Sequence, residues 1–163
     1  LKRKIYLIGQ ISNDPRSYQW RENIELYLKE QPQDIQNEFE IINPCGNNFS
    51  KGVLESSGDE KEFTSNAIND KCGDLLPSQD CGFVMYSNAC IANFNHWTPE
   101  RPLLGTIYEL SWYYLTPWKP VVGIHSDPEN DFNCRHPFPW KTVHTWVENE
   151  IQAIQAFIKL YCR

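Results

Sequence analysis

Glu109 occupies a position that suits two kinds of work. It follows Thr106 by three residues in the run Gly105-Thr106-Ile107-Tyr108-Glu109-Leu110. That spacing predicts a helix start, with a threonine hydroxyl capping free backbone N–H groups and a glutamate closing a capping box. The same carboxylate has a chemical use if the helix belongs to an α/β sheet. Ligands of such sheets bind outside the carboxyl ends of the strands, and a carboxylate held there can act as a nucleophile. Local spacing serves both readings.

The rest of the chain supplies the frame. Lys4-Ile5-Tyr6-Leu7-Ile8-Gly9 is a buried-strand pattern ending on a glycine that permits a tight turn. Tyr18 to Glu30 is amphipathic at helical spacing, with Trp20, Ile24, Tyr27 and Leu28 on one side. Phe39 to Ile42 predicts a second strand, stopped by Asn43-Pro44. A helix is expected over Glu60 to Leu76, a third strand over Phe83-Val84-Met85-Tyr86, and a buried parallel strand over Val121 to Ile124. Lys141 to His144 is expected as a short last strand, and Trp146 to Tyr161 as a closing helix. Long loops are expected over Cys45 to Glu60, Ser87 to Arg101 and His125 to Pro139; loops of this length usually serve function. The alternation predicts a flavodoxin/Rossmann-like three-layer α/β sandwich with a mostly parallel sheet of about five strands.

Composition narrows the function. The 163 residues fit one domain, 1–163, with 40% hydrophobic and 13% aromatic residues, as in a globular chain. Net charge is −6 and no basic run occurs, which argues against a nucleic-acid polymer as partner. No run approaches the roughly 18 apolar residues of a membrane span, and no secretory hydrophobic segment opens the sequence. Cys45, Cys72, Cys81, Cys90, Cys134 and Cys162 form no C-x-x-C pair and have no histidine at zinc-ligand spacing. Reduced thiols, a cytoplasmic setting and no metal are the expectation.

With these residues in view, the chain resembles the nucleoside 2-deoxyribosyltransferase family, which includes deoxynucleotide N-hydrolases. The likeness covers nearly the whole length. It rests on Lys4 to Gly9, on Gly105-Thr106-x-x-Glu109-Leu110-x-Trp112, and on Lys119-Pro120-Val121-Val122. Between them, Asp74 lies eight residues before Gly82, where the third strand is expected to begin, and Asn88 follows that expected strand. The asparagine-containing loop ending His136-Pro137-Phe138 is similar to the family's late loop.

The resemblance implies roles. Glu109 attacks the anomeric carbon of a 2-deoxyribose and displaces the base, and an acceptor base or water then takes the sugar. Asp74 protonates the departing base, with Asp70 as its substitute, and Tyr6 orients the nucleophile. Either aspartate is otherwise a helix-face or turn residue, and Tyr6 a core aromatic. Gly9, Asn88, Gly105 and Thr106 lie against substrate, although Asn88 also suits a turn cap. Asn130 or Asn133 reaches a neighbouring subunit's site. Trp20 and Trp97 suit base stacking or the core. No cofactor is implied. The implied partners are a deoxynucleoside or deoxynucleotide, a free nucleobase, and further copies of the chain in a homodimer or larger homo-oligomer.

One departure leaves specificity open. Six residues before the nucleophile the family carries Asp or Ser facing the sugar's 5′ end, and this chain has Leu103. Transferase, 5′-monophosphate N-glycosidase and a non-catalytic nucleotide-binding or assembly module are the alternatives on this fold.

Overall fold

The computed structural model describes residues 1–12, 14–46, 76–95 and 103–162. The expected helix over Glu60 to Leu76, and with it Asp70 and Asp74, falls outside those residues up to Leu76. Strand β1 (Arg3–Gly9) leads to helix α1 (Arg16–Lys29), a short α2 (Gln33–Glu38) and β2 (Phe39–Ile42). Helix α3 (Leu76–Tyr86), β3 (Ala89–Asn93), α4 (Leu104–Tyr114) and β4 (Val121–Ile124) follow. Helices α5 (Phe132–Arg135) and α6 (Pro137–Thr142), strand β5 (Thr145–Val147) and helix α7 (Glu150–Tyr161) complete the described chain.

The five strands form one parallel sheet in the order β2-β1-β3-β4-β5. This is the flavodoxin-like order, and it reverses direction at the β1/β3 pair, the place where such sheets open a crevice for ligands. Gly9 pairs with Asn93 in register, so these two residues mark the carboxyl edge of that crevice.

Both faces of the sheet are covered. Ile5 and Leu7 of β1 point to the layer of α1 and α7, where they meet Trp20, Ile24, Leu28, Ile154 and Phe157. Tyr6 and Ile8, on the opposite side of the pleat, join Val84, Leu110 and Tyr113 in the layer of α3 and α4. Continuous burial on both faces explains why the strands read as unbroken apolar runs.

The third strand departs from expectation. Phe83-Val84-Met85-Tyr86 belongs to α3, not to the sheet. Four apolar residues in a row do not separate a strand from a helix, and here burial is one-sided: Val84 is buried while Met85 and Tyr86 are exposed. The run that is buried throughout is Ala89 to Asn93, and it takes the strand.

The carboxyl-terminal quarter also shifts. Lys141 and Thr142 end α6, which Pro137 starts, and the last strand is Thr145 to Val147. Helix α7 begins only at Glu150, where the Asn149 side chain accepts a hydrogen bond from the Gln152 N–H at 3.0 Å. Trp146 and Val147 are therefore strand residues. Much of the expected loop from His125 to Pro139 is helical in α5 and α6.

Candidate functional site

The site grows from the inward side of β1. Tyr6 is fully buried, and its hydroxyl donates to Glu109 Oε1 at 2.9 Å. Asp80 Oδ1 lies 3.5 Å from the same hydroxyl. Three elements meet here: β1 brings the phenol, α3 brings Asp80, and α4 brings Glu109 on the side of the helix that also buries Thr106, Leu110 and Tyr113. Sheet and helix packing hold all three, which is what a precise constellation requires.

This geometry removes the capping-box reading of Glu109. Helix α4 begins at Leu104, its capping position is Leu103, and no side-chain capping bond is made there. Thr106 is already inside the helix and buried. The capping box is not formed. The Glu109 carboxyl is instead engaged with Tyr6 and Asp80 across the layer.

Burial pushes the Glu109 carboxyl up to about 8, the charge of Asp80 adds to the rise, and the Tyr6 hydrogen bond and the Arg21 charge oppose it. Asp80 is raised as well, first by burial, while hydrogen bonds from Glu109 and Tyr6 restrain it. The carboxyls thus titrate as a pair holding one proton between them near neutrality, with Asp80 ionising first. The Tyr6 phenol, buried among two carboxyls, is raised far above its ordinary value and remains a donor.

The edge of the crevice is closely packed. A Cβ on Gly9 would stand 3.1 Å from the Trp20 ring and 3.2 Å from the Asn93 carbonyl oxygen, so a side chain there would press on both. Trp20 is buried and donates its indole N–H to the Ser17 carbonyl, which makes it core and not a stacking platform. Asn93 is buried at the end of β3 and accepts from the Asn95 N–H at 2.9 Å.

Among solved structures similar to this chain, one matches over nearly its whole length. It is a 2-deoxyribosyltransferase from the psychrotolerant bacterium Bacillus psychrosaccharolyticus, 15% identical, with a TM-score of 0.53 over 92% of this chain and 89% of that one. That likeness establishes the fold. No family model and no curated protein matches the sequence.

Asp80 is the functional candidate that the sequence reading missed, and the signal lay in the strand register. Asp74 stands eight residues before Gly82, the expected strand start. The strand starts seven residues later, at Ala89, and the aspartate standing nine residues before that start is Asp80. Asp74 itself lies outside the described residues.

Asn88 is corrected too. It precedes β3, and its Oδ1 accepts from the Lys4 N–H at 2.8 Å, at the end of the sheet opposite the crevice. Gly105 is exposed on α4 with open space around it. Asn130 is exposed and donates to the Asp127 carboxylate, and Asn133 is half-buried in α5. Glu129, Asn130, Arg135 and Trp140 line a cavity of about 410 Å³. Leu103 is buried in the α3/α4 layer, so it offers its methyls to the core.

Among the described residues, His125, Asp131 and Cys134 bring donor atoms within 4.8 Å of one another. Their hydrogen bonding does not suit a cation. The Asp127 N–H donates to His125 Nδ1, which leaves the ring proton on Nε2, the nitrogen that faces Asp131. Burial and the hydrogen bond to Asp131 push the Cys134 thiol well above its ordinary value. Cys45, Cys81, Cys90, Cys134 and Cys162 are free thiols, and no helix among the described residues is long and apolar enough to cross a membrane.

Proposed function

We propose that the chain is a nucleoside deoxyribosyltransferase: it cleaves the N-glycosidic bond of a deoxynucleoside and passes the sugar to another base. The observation that carries this reading is the Tyr6–Glu109–Asp80 contact beneath the β1/β3 switch point. A glycosyl transfer with retention needs one carboxylate to attack and one carboxylic acid to protonate the leaving group. A pair that holds one proton supplies both. The proton passes along the Glu109–Asp80 hydrogen bond to Asp80, and Tyr6 steadies the carboxylate left on Glu109.

The steps then balance. Glu109 forms a bond to the anomeric carbon, the carbon–nitrogen bond breaks, and the departing nitrogen takes the Asp80 proton. An acceptor base next attacks the same carbon, the ester bond to Glu109 breaks, and Asp80 recovers a proton from the acceptor. The 2-deoxyribosyltransferase likeness supports the reading at the level of fold. A homodimer or larger homo-oligomer belongs to the same reading. It is supported by exposed Leu104, Tyr108, Tyr114, Leu115 and Trp118 along and just beyond α4. A cytoplasmic setting fits the free thiols.

Chromatography of reactions with each deoxynucleoside and deoxynucleoside monophosphate, with and without a free base, tests the proposal. Base exchange that disappears in Glu109→Ala is the expected result. Free base released without exchange would assign a hydrolase instead, and no turnover of any substrate would assign a binding module.

A further inference from the structure

Arg21 is fully buried, and none of the ion pairs among the described residues includes it. A guanidinium out of water needs compensation, and here it comes from backbone and a ring. One terminal nitrogen donates to the Gly9 carbonyl at 2.8 Å, and the other donates to Ser17 and Gln10 carbonyls. Its plane lies 4.5 Å from the centre of the Trp20 ring, and its Nε–H has no partner. Gly9 and Gln10 are the residues by which the chain leaves β1, so Arg21 ties down the rim of the crevice.

A brace alone does not need a charge, since a neutral amide also donates to carbonyls. The titratable groups that face Arg21 are Cys45, Glu109 and Tyr6, of which the thiol and the phenol stay neutral. Those that face Glu109 are Asp80 on α3, Tyr6 on β1, Arg21 on α1, Cys90 on β3 and Tyr113 on its own helix. Arg21 is the cation in that set. We propose that Arg21 is a positioning residue: held by the Gly9, Gln10 and Ser17 carbonyls, it fixes the exit from β1 and sets a buried positive charge at the end of the strand whose Tyr6 holds Glu109, so that the carboxyl pair holds one negative charge without solvent. This inference rests on the glycosyl-transfer reading of Tyr6, Glu109 and Asp80.

The test reads the carboxyls themselves. Carbon-13 carboxyl resonances of Glu109 and Asp80 are followed against pH in the unaltered chain, in Arg21→Met and Arg21→Gln, and in Arg21→Lys. Loss of the cation moves the pair's titration upward by at least about half a unit in either neutral variant, and lysine keeps it within about 0.2. In turnover, Arg21→Met lowers kcat at least about tenfold with KM within about threefold. An unmoved carboxyl titration in a folded neutral variant overturns the Arg21 assignment and leaves glycosyl transfer standing. A moved titration in a chain that turns over no deoxynucleoside upholds the charge assignment and sinks the transfer reading. If neither neutral variant folds, the Arg21 Nε–H resonance of the unaltered chain decides. It shifts with the carboxyls' midpoint if the charges are coupled, and a constant shift across the titration overturns the assignment.

Discussion

The Tyr6 hydroxyl donates to Glu109 Oε1 at 2.9 Å, joining the first strand to a helix 103 residues away. A phenol in that place does two things to a carboxyl. It stabilises the ionised form, and it fixes the orientation of the carboxyl. Asp80, 3.5 Å from the same hydroxyl, works in the opposite direction by adding a like charge. The competition leaves one proton on two carboxyls at the pH where the protein would operate.

A pH profile follows. Activity requires the pair to be singly protonated, so kcat/KM falls below the pH where the pair takes up its second proton. It also falls above about 8, where the remaining proton is lost. Asp80→Asn removes the acid and the neighbouring charge together. Its rate is expected to drop at least about a hundredfold, and the alkaline limb near 8 is expected to vanish. Initial rates over a buffered pH series give both numbers.

Tyr6→Phe separates orientation from structure. The ring stays in its buried slot beside Phe83, at 5.5 Å between centroids, so the fold is retained. The carboxyl loses a donor that favoured its ionised form, so its titration moves further up and the alkaline limb near 8 follows. A kcat loss of about 10–100-fold, with the limb displaced upward, is the expected outcome in a rate–pH series.

The expected elements were legible wherever burial was two-sided or periodic. Ile5 to Ile8 and Val121 to Ile124 are strands because apolar runs of that length suit a parallel sheet. Phe83 to Tyr86 has the same composition, yet it sits in a helix with one side in water. A four-residue run carries no period long enough to tell these apart. That single slip hid Asp80 as a candidate acid and placed Asn88 at the wrong end of the sheet. Tyr6 and Glu109 were legible because one sits in an unambiguous strand and the other in a helix with a clear apolar side. The buried charge of Arg21 was not, since an arginine inside an amphipathic pattern reads as a solvated face.

Stability carries the same signature as activity. Glu109 ionises near 4.5 when unfolded and near 8 when folded, so the folded chain binds the extra proton between these values. Its contribution to stability is therefore complete below about 4.5 and is lost as pH rises through about 8. Glu109→Gln cannot ionise. Relative to the unaltered chain it should gain stability from pH 5 to pH 9, by an amount on the order of a few kcal/mol. Urea denaturation at the two pH values measures the difference, and a gain at pH 5 instead would reverse the sign.

Gly123 in β4 tests the packing beside the site. A Cβ there would fall 2.5 Å from the Trp146 ring and 2.9 Å from Val143 Cγ1. Trp146 also packs on Phe94 at 5.1 Å between ring centroids. Gly123→Ala is expected to destabilise by about 1–3 kcal/mol. A lowered denaturation midpoint with an unchanged slope is the corresponding observation.

The central claim is that Glu109 becomes covalently bonded to the sugar. The direct measurement is mass analysis of peptides from enzyme denatured within the first turnover, with a deoxynucleoside present and no acceptor base. The account predicts one deoxyribosyl group on the peptide containing Glu109, and none on that peptide from Glu109→Gln, which also loses base exchange. A sugar found on another residue, or base exchange continuing at full rate in Glu109→Gln, would contradict it.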